Sequence, residues 1–452
     1  MKLLNSIFAL LLGLAQLSSA LEPPPASSRG RLPFAGAALR LGNQRVAPHL
    51  LARLRARLAA RLSGNKSILL FQSPTGGLPS EGNPRILVLL VDFDDYPARP
   101  GDTPDVMHSK IFGGGGKFPY ESMSAYYRRS SFGKLNLQGD VLGWFRAGKR
   151  EDVPQTWEGR EAVLRKALEA YKDRDLSVYD SDGDGAIDYV AVIWTGPVGK
   201  WATFWWGCAT TFSDRNFSVG GKRLGAYSWQ GVLSNGDGPD DEFDPTTLIH
   251  ETGHALGLPD YYDYKPGVGP DGGVGGFDMM DGGKYDHNCF SKMLLGWTEP
   301  RLIYAAGDYT LQPAAEGGDC AMLVAAGRTK DVFGEFFLLE NRRPVANDYS
   351  KVMSGGLTIW HVDARRSADG AEFVYNNQDT GHKLLKILES GGAEGLESGE
   401  SKIFMPTEFY LEGRALRADT VPSSRLYDGT DTGINLVSRG GAAEVTFTVS
   451  FK

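Results

Sequence analysis

The chain has 452 residues, of which 41% are hydrophobic and 23% charged, and its net charge at pH 7 is −7. This is the composition of an ordinary globular protein with room for two or three folding units. Three cysteines allow at most one intramolecular disulfide, which excludes a disulfide-stapled scaffold. The sequence does not select a pair among Cys208, Cys289 and Cys320.

The first twenty residues combine a cation at Lys2, an apolar stretch from Leu3 to about Leu17 and a small residue at Ala20. This pattern predicts a secretory signal peptide at 1–20. A membrane anchor is the weaker alternative, because the apolar run is shorter than the roughly 20 residues that span a bilayer. No later stretch is apolar for long enough, so we expect an extracellular protein without a membrane span.

Residues 21–84 form a basic leader, in which residues 21–82 carry 9 Lys and Arg against 2 Asp and Glu. Leucines at four-residue intervals from Leu50 to Leu62 predict one short amphipathic helix, and a Gly, Pro and Ser-rich linker follows. A basic segment can bind nucleic acid or a membrane. After a signal peptide, we interpret it instead as a pro-segment that docks electrostatically on the acidic body, and we expect no nucleic-acid partner.

From Arg85 onward the pattern is that of an α+β protein. RILVLLVDF and YVAVIW predict buried strands, SMSAYYRRSS predicts a helix, and KLNLQGDVLGWF has the pattern of a hairpin with glycine at its turn. Short strands separated by Gly, Asn and Asp follow Trp297. We therefore expect one domain at 85–300 and a β-rich C-terminal domain at 301–452.

A helix from about Pro245 to Leu256 carries the strongest chemical signal. Asp244 is a favourable N-cap, proline is favoured in the first turn, and Gly257 can adopt the left-handed conformation that ends a helix. This helix contains the sequence HETGH.

His250 and His254 lie one turn apart on this helix, so both imidazoles can bind one zinc ion. Glu251 lies about 100° round the helix, where it can accept a proton from an activated water without being a ligand. The chain reverses after the helix and can return Asp260 as third ligand, with Asp263 as the alternative. Three protein ligands leave one zinc position open, as catalysis requires.

YDSDGDGAID has the spacing of the first part of a calcium loop. The candidate ligands are Asp180, Asp182, Asp184, the carbonyl of Ala186, and Asp188. A strand follows instead of a helix, and the twelfth position lacks Glu, so the loop is not an EF-hand. Carboxylates this close repel one another unless a cation neutralises them. We expect a structural Ca²⁺, with an ion-free Asp and Gly-rich turn as the alternative.

HETGHALGLPD resembles the extended zinc signature of the metzincin metalloendopeptidases, in the variant whose third ligand is Asp. GGFDMMDGG supplies the methionine that those enzymes place in a tight turn beneath the zinc. The resemblance assigns Met280 to this turn, with Met279 as the alternative. Further stretches, including RILVLLVDFDD, SKMLLGW, EFFLLENRR and GGLTIWHVD, are similar to the immune inhibitor A family of secreted metallopeptidases and cover most of residues 85–365.

The resemblance implies a metzincin-like catalytic domain at 85–300. It also implies that RLGAYSWQ is an edge strand that binds extended peptide by strand addition. Tyr285 could donate a hydrogen bond to the oxyanion, and a half-buried structural tyrosine is the alternative. His361, Asp363 and His382 match no metal pattern, so we expect them to pack at strand ends.

The sequence therefore predicts a secreted, monomeric zinc metalloendopeptidase that hydrolyses peptide bonds in protein or peptide substrates, with Glu251 as general base. Two other functions are open. One is a zinc hydrolase of a non-protein amide bond. The other is a binding or adhesion module with a vestigial zinc site, which the retention of Glu251 beside both histidines disfavours.

Overall fold

The structure is a computed structural model, and it describes residues 44–63, 76–115, 120–199, 203–232, 242–262, 273–281, 285–325, 332–348, 353–378, 381–392, 395–396, 408–441 and 443–452. The predicted signal peptide, the first part of the leader and Asp263 lie outside the described residues. Among the helices that are described, none combines the length and the apolar character needed to cross a membrane.

The described chain is a mixed α and β protein with few helices, as the sequence predicted. The helices are α1 (Pro48–Ser63), α2 (Pro104–Phe112), α3 (Met123–Ser130), α4 (Trp157–Glu169), α5 (Thr246–Leu256), α6 (Cys289–Leu295) and α7 (Ala314–Gly317). The first strands are β1 (Arg85–Asp92), β2 (Gln138–Arg146), β3 (Ala186–Trp194), β4 (Cys208–Thr211), β5 (Ser218–Val219) and β6 (Lys222–Gly231). The later strands are β7 (Arg301–Ile303), β8 (Gly307–Leu311), β9 (Cys320–Leu323), β10 (Glu335–Arg342), β11 (Gly356–Asp363), β12 (Leu385–Ile387), β13 (Ala415–Leu416), β14 (Ile434–Gly440) and β15 (Val445–Phe451).

The first sheet has the strand order β2-β1-β3-β6-β4, with β5 paired to β6. The first four strands of this order run parallel, and β4 is antiparallel to β6. Strands β1 and β3 are buried almost throughout, as parallel strands covered on both faces should be. Helix α5 packs against β4 and β6, so this edge of the sheet positions the HETGH segment.

The predicted hairpin in KLNLQGDVLGWF is wrong, because its C-terminal part is the single strand β2, parallel to β1. Its glycines allow the backbone of β1 to approach β2 closely, and they do not form a turn. A Cβ on Gly139 would overlap the Ile86 carbonyl, and one on Gly143 would lie 2.5 Å from the Leu90 carbonyl. Glycine inside a strand pattern can mark either feature, and only the neighbouring strand distinguishes them.

The prediction that RLGAYSWQ forms the edge strand is also wrong. These residues belong to β6, which lies between β3 and β4. The last strand of the order at this end of the sheet is the four-residue strand β4, which pairs with β6. A strand this short gives little alternating pattern in the sequence, which is why it was not recognised.

The β-rich part consists of two further sheets, with the orders β12-β11-β10-β9-β7 and β13-β14-β15-β8. Alternate residues of β10 point to opposite faces. Phe337 and Leu339 pack against the four-stranded sheet, whereas Phe336 and Leu338 join the core that contains α5 and α6. The predicted domain boundary at residue 300 stays a prediction, and the parts on either side of it share this core.

The amphipathic helix predicted in the leader is confirmed as α1, and it lies against the body of the protein. Leu50, Leu51 and Leu54 are buried in the same core as α5. Arg53 donates to the Leu78 carbonyl at 2.9 Å, and Arg57 donates to the Leu294 carbonyl. Apolar burial and arginine bonds to carbonyl oxygens therefore carry much of this contact, rather than charge attraction alone.

Candidate metal centre

Helix α5 begins one residue later than predicted, with Pro245 as N-cap. The Asp244 carboxylate still accepts the free Thr246 N–H, at 2.8 Å, so it stabilises the first turn as the sequence suggested. Gly257 ends the helix in the left-handed region, at φ 108°. Its N–H donates to the His254 carbonyl at 2.9 Å, and the chain then turns toward Asp260.

Three ligand atoms converge after this turn. Asp260 Oδ1 lies 3.0 Å from His250 Nε2 and 3.3 Å from His254 Nε2. A tetrahedral zinc ion with bonds of about 2.0–2.1 Å separates its ligand atoms by about 3.3 Å. The spacing and the donor types therefore fit zinc, and the three side chains are almost wholly buried.

The outer nitrogen of each imidazole is held by a backbone carbonyl. His250 Nδ1 lies 2.9 Å from the Met279 carbonyl, and His254 Nδ1 lies 2.8 Å from the Leu258 carbonyl. A proton on Nδ1 that donates to each carbonyl leaves the Nε2 lone pair free for a metal, which is the usual arrangement around bound metals. The sequence did not reveal these two carbonyl groups.

The turn that contains Met279 and Met280 packs against α5. Met280 packs directly against Gly253, where an added Cβ would overlap the Met280 sulfur. The Met280 carbonyl also accepts the Tyr261 N–H at 3.0 Å, which links this turn to the Asp260 segment. The sequence analysis did not identify the role of Gly253. A glycine inside a helix lowers helix stability by about 1 kcal/mol relative to alanine, so its presence there indicates a packing constraint.

Glu251 lies beside the three ligands, as predicted, and is 2% exposed. Its Oε2 has no hydrogen-bond partner among the described residues. Burial raises the pKa of Glu251 to about 8, against the attraction of His250 and with a further increase from Asp260. A buried carboxyl whose pKa lies near neutrality is suited to accept and return a proton.

Asp260 differs from Glu251 although both are buried. Burial alone would raise its pKa, but the charge of His254 and the hydrogen bonds from both imidazoles lower the pKa of Asp260 overall. Two neighbouring carboxyls are thus held in different states, with Asp260 ionised and Glu251 available for proton transfer.

A cavity of about 490 Å³ opens beside His254. The edge strand β4 forms one wall through residues 209–211, and leader residues 45–49 form another. A bound segment in this cavity would lie next to the edge strand and the metal cluster at once.

The acidic loop forms a second cluster, in which carboxylate oxygens of Asp180, Asp182 and Asp188 converge. The Asp184 carboxylate is not part of this group, and it accepts the Ala186 N–H at 2.8 Å. Asp180 Oδ2 accepts Lys222 Nζ at 2.6 Å. Its Oδ1 is buried without a hydrogen-bond partner in the described chain.

The charges of this loop are only partly balanced. Burial raises the pKa of Asp180, but the hydrogen bond and charge of Lys222 together with backbone N–H donors such as Gly185 outweigh burial, so that this pKa is lowered. The pKa of Asp188 is raised to about 7, mainly by burial and also by the charges of Asp182 and Asp180, against the bonds from Ser181. A bound cation would remove this repulsion.

The remaining predicted residues are Tyr285 and the group of His361, Asp363 and His382. Tyr285 is half-buried against the core, and its carbonyl accepts the Tyr126 hydroxyl at 3.1 Å. His361 bonds Glu335 at 2.9 Å, whereas His382 bonds Asp363 at 2.6 Å. The two histidines thus pair with different carboxylates, which agrees with packing at strand ends.

Distant relatives of the chain are found among metalloproteases. Immune inhibitor A of Bacillus thuringiensis subsp. alesti is 27% identical over 232 residues, which cover 40% of this chain and 33% of that protein. Pre-pro-metalloprotease PrtV of Vibrio cholerae serotype O1, in two strains, is 26% identical over 229 residues, covering 40% of this chain and 25% of that protein. The chain thus matches only a quarter to a third of these relatives' length. No family model matches it.

Proposed function

We propose that the protein is a secreted zinc metalloendopeptidase of the immune inhibitor A type, with a metzincin-like catalytic domain. The observation that carries the proposal is the convergence of His250 Nε2, His254 Nε2 and Asp260 Oδ1 beside a buried Glu251. The distant similarity to two metalloproteases supports the same activity.

His250, His254 and Asp260 would hold the ion. Bound there, zinc supplies Lewis acidity and a water of lowered pKa. Glu251 accepts the proton that the attacking water loses and transfers it to the leaving amine, so one carboxyl acts as base and then as acid. The pKa near 8 that burial gives Glu251 describes the site without an ion, and a nearby cation favours its ionised form.

Protein or peptide substrates fit the cavity beside β4. The cavity borders both residues 209–211 of β4 and His254, so a polypeptide bound along it would reach the metal cluster. Tyr285 as an oxyanion donor is retained as part of the proposal, as is a monomeric enzyme.

Two further parts of the proposal concern the rest of the chain. The acidic loop binds a structural Ca²⁺ through Asp180, Asp182 and Asp188, since their charges otherwise repel. Residues 1–20 direct export, and 21–84 form a pro-segment removed on activation. The contact of α1 with the core that contains α5 supports a role for the leader in the maturation of the enzyme.

The test compares the wild-type chain with Glu251→Gln, before and after cleavage of the leader by a trace of trypsin. Glu251→Gln keeps the side-chain shape, so we expect one bound zinc per chain but a loss of casein hydrolysis of roughly 10²–10⁴-fold. Glu169→Gln, at the exposed end of α4, is the matched control and should behave as wild type. Undiminished hydrolysis in Glu251→Gln, or no casein peptides from zinc-loaded wild type, contradicts the proposal.

A further inference from the structure

Two of the three cysteines lie together in the core that contains α5 and α6. Cys289 is the first residue of α6 and Cys320 the first of β9, and each is 2% exposed. Their thiols contact one another as hydrogen-bond partners. In the structure all three cysteines are thiols.

Glu340 fixes the positions of both residues. It lies directly opposite Cys320 in the ladder between β9 and β10, and its Oε2 accepts the Cys289 N–H at 3.1 Å. One carboxylate thus joins the start of α6 to the strand beside Cys320. The two backbones are held close without a covalent bond.

Cys208 is excluded from this contact by the first sheet. It packs in the core on one face of that sheet, whereas Cys289 and Cys320 belong to the core on the other face. Its sulfur accepts a hydrogen bond from Arg160 at 2.7 Å. The fold therefore selects one pair from the three that the sequence allows.

We propose that Cys289 and Cys320 form a disulfide in the mature protein, which rests on its proposed export. A disulfide-bearing oxidant, such as oxidised glutathione or a thiol oxidoreductase, supplies the oxidising equivalents. One sulfur–sulfur bond forms, both thiols lose their protons, and the two electrons reduce the oxidant's disulfide to two thiols. The exported environment is the one in which such bonds persist.

The bond would close a loop of about 30 residues and join the parts on either side of residue 300. Its position matters for the metal centre because α6 supports the methionine turn. Ser291 of α6 donates to the Asp278 carboxylate at 3.0 Å, and the Asp278 carboxylate also accepts the Met280 N–H at 2.8 Å. The disulfide thus stabilises the support of α5 without touching the zinc ligands.

We expect the disulfide to form while the chain folds, before the two thiols are buried. Burial, the contact with Cys320 and the Glu340 carboxylate raise the pKa of the Cys289 thiol. The thiolate is the reacting form, so thiol exchange in the folded chain is slow. A bond once formed is likewise protected from reduction by its burial.

The first experiment maps the thiols of the full-length chain after production in an oxidising compartment. The chain is denatured in acid with an alkylating reagent, digested without reduction and analysed by mass spectrometry. We expect the Cys289 and Cys320 peptides to be linked, two hydrogen masses below their sum, and the Cys208 peptide to be alkylated. Alkylation at all three cysteines, or a link that includes Cys208, overturns the proposal.

The second experiment measures Tm with and without dithiothreitol present during folding. Reductant should lower the Tm of wild type and of the control Cys208→Ala by about 5 °C. It should leave Cys289→Ala and Cys320→Ala unchanged, since neither can form the bond. An equal reductant effect in Cys289→Ala contradicts the proposal. Neither readout uses proteolysis, so an inactive protein with the linked peptides would refute the proposed enzyme but not the disulfide.

Discussion

The two clusters of converging ligand atoms are built on opposite principles. His250, His254 and Asp260 contribute two imidazoles and one carboxylate, and a carbonyl holds the outer nitrogen of each imidazole. The acidic loop instead brings together three carboxylates, of which Asp180 is bonded to Lys222. The first cluster is arranged before any ion binds, whereas the second carries its own repulsion.

This difference agrees with the catalytic role that we propose for the first cluster and the structural role that we propose for the second. A preorganised set of mixed donors fixes the orientation of an ion without requiring the chain to move. A cluster of like charges is stabilised most by a cation when its carboxylates repel one another in the ion-free protein. The raised pKa of Asp188 shows this repulsion, to which Asp182 and Asp180 contribute. We therefore expect changes at the first cluster to affect chemistry and changes at the second to affect stability.

The leader contacts the surroundings of both clusters. His49 Nε2 lies 3.3 Å from the Leu256 carbonyl at the end of α5, and the Gly76 N–H donates to Asp182 Oδ2 at 2.6 Å. Release of the leader would therefore change the environment of both clusters at once. Comparing the protein before and after release of the leader therefore tests whether the two clusters depend on each other.

The largest effect is expected at Asp260. Asp260→Ala should weaken zinc affinity by more than the roughly 10–100-fold typical of indirect metal partners, and casein hydrolysis should be lost with the metal. Zinc content after dialysis against a chelator measures the change. Asp173→Ala, at an exposed carboxylate beyond the end of α4, is the control. Wild-type zinc affinity in Asp260→Ala would exclude this residue and favour Asp263.

Calcium should raise the stability of the wild-type chain by about 3–4 kcal/mol when its concentration is some hundreds of times Kd or more. Asp180→Asn and Asp188→Asn should abolish this gain while leaving the zinc content unchanged. Scanning calorimetry with and without Ca²⁺ gives the difference. A calcium effect that persists in both variants would place the ion elsewhere.

The calcium effect should also depend on pH. The pKa of Asp188 is raised from about 3.9 when unfolded to about 7 when folded, so the folded ion-free chain retains a proton there. The stability contributed by this group is present below pH 4 and is lost as the pH rises through 7. Calcium binds the ionised form, so its stabilisation should be larger at pH 8 than at pH 5.5. Equal stabilisation at both values contradicts this account.

A smaller effect is expected beneath the zinc helix. Gly253→Ala places a methyl group against the Met280 sulfur and should cost about 1–3 kcal/mol of unfolding free energy. Met280→Ala in the same chain should recover part of that loss, because it removes the overlapping atoms. A double-mutant cycle in urea measures the coupling, and strict additivity would show that the two positions do not interact.

The smallest effect concerns the leader. Burial, and then Arg53, lower the pKa of His49 to about 4 from about 6.5. The unfolded chain then binds a proton more readily, so stability is full above pH 6.5 and declines as the pH falls toward 4. Between pH 7.5 and 5.5 the loss should be about 1 kcal/mol greater in wild type than in His49→Gln. Urea unfolding at both values measures it, and identical pH dependence would remove His49 from this role.

The sequence predicted the helix of the HETGH segment to within one residue at its start. It also predicted the residues whose ligand atoms converge, which are His250, His254 and Asp260 in one cluster and Asp180, Asp182 and Asp188 in the other. These features are encoded over a few neighbouring residues, through caps, helix periodicity and loop spacing. The predictions that concerned RLGAYSWQ and KLNLQGDVLGWF were wrong, because both depend on which strand lies alongside.

The sequence by itself determined that His250, His254 and Asp260 come together. The two histidines are one helical turn apart, and Gly257 ends the helix so that the chain can turn back to place Asp260 beside them. Only the tertiary structure decided that β4 is the edge strand, that Gly253 makes room for Met280 and that Cys289 meets Cys320. Each of these depends on contacts between residues distant in sequence. These contacts form only when the sheets and cores assemble, so the local propensities of the sequence do not predict them.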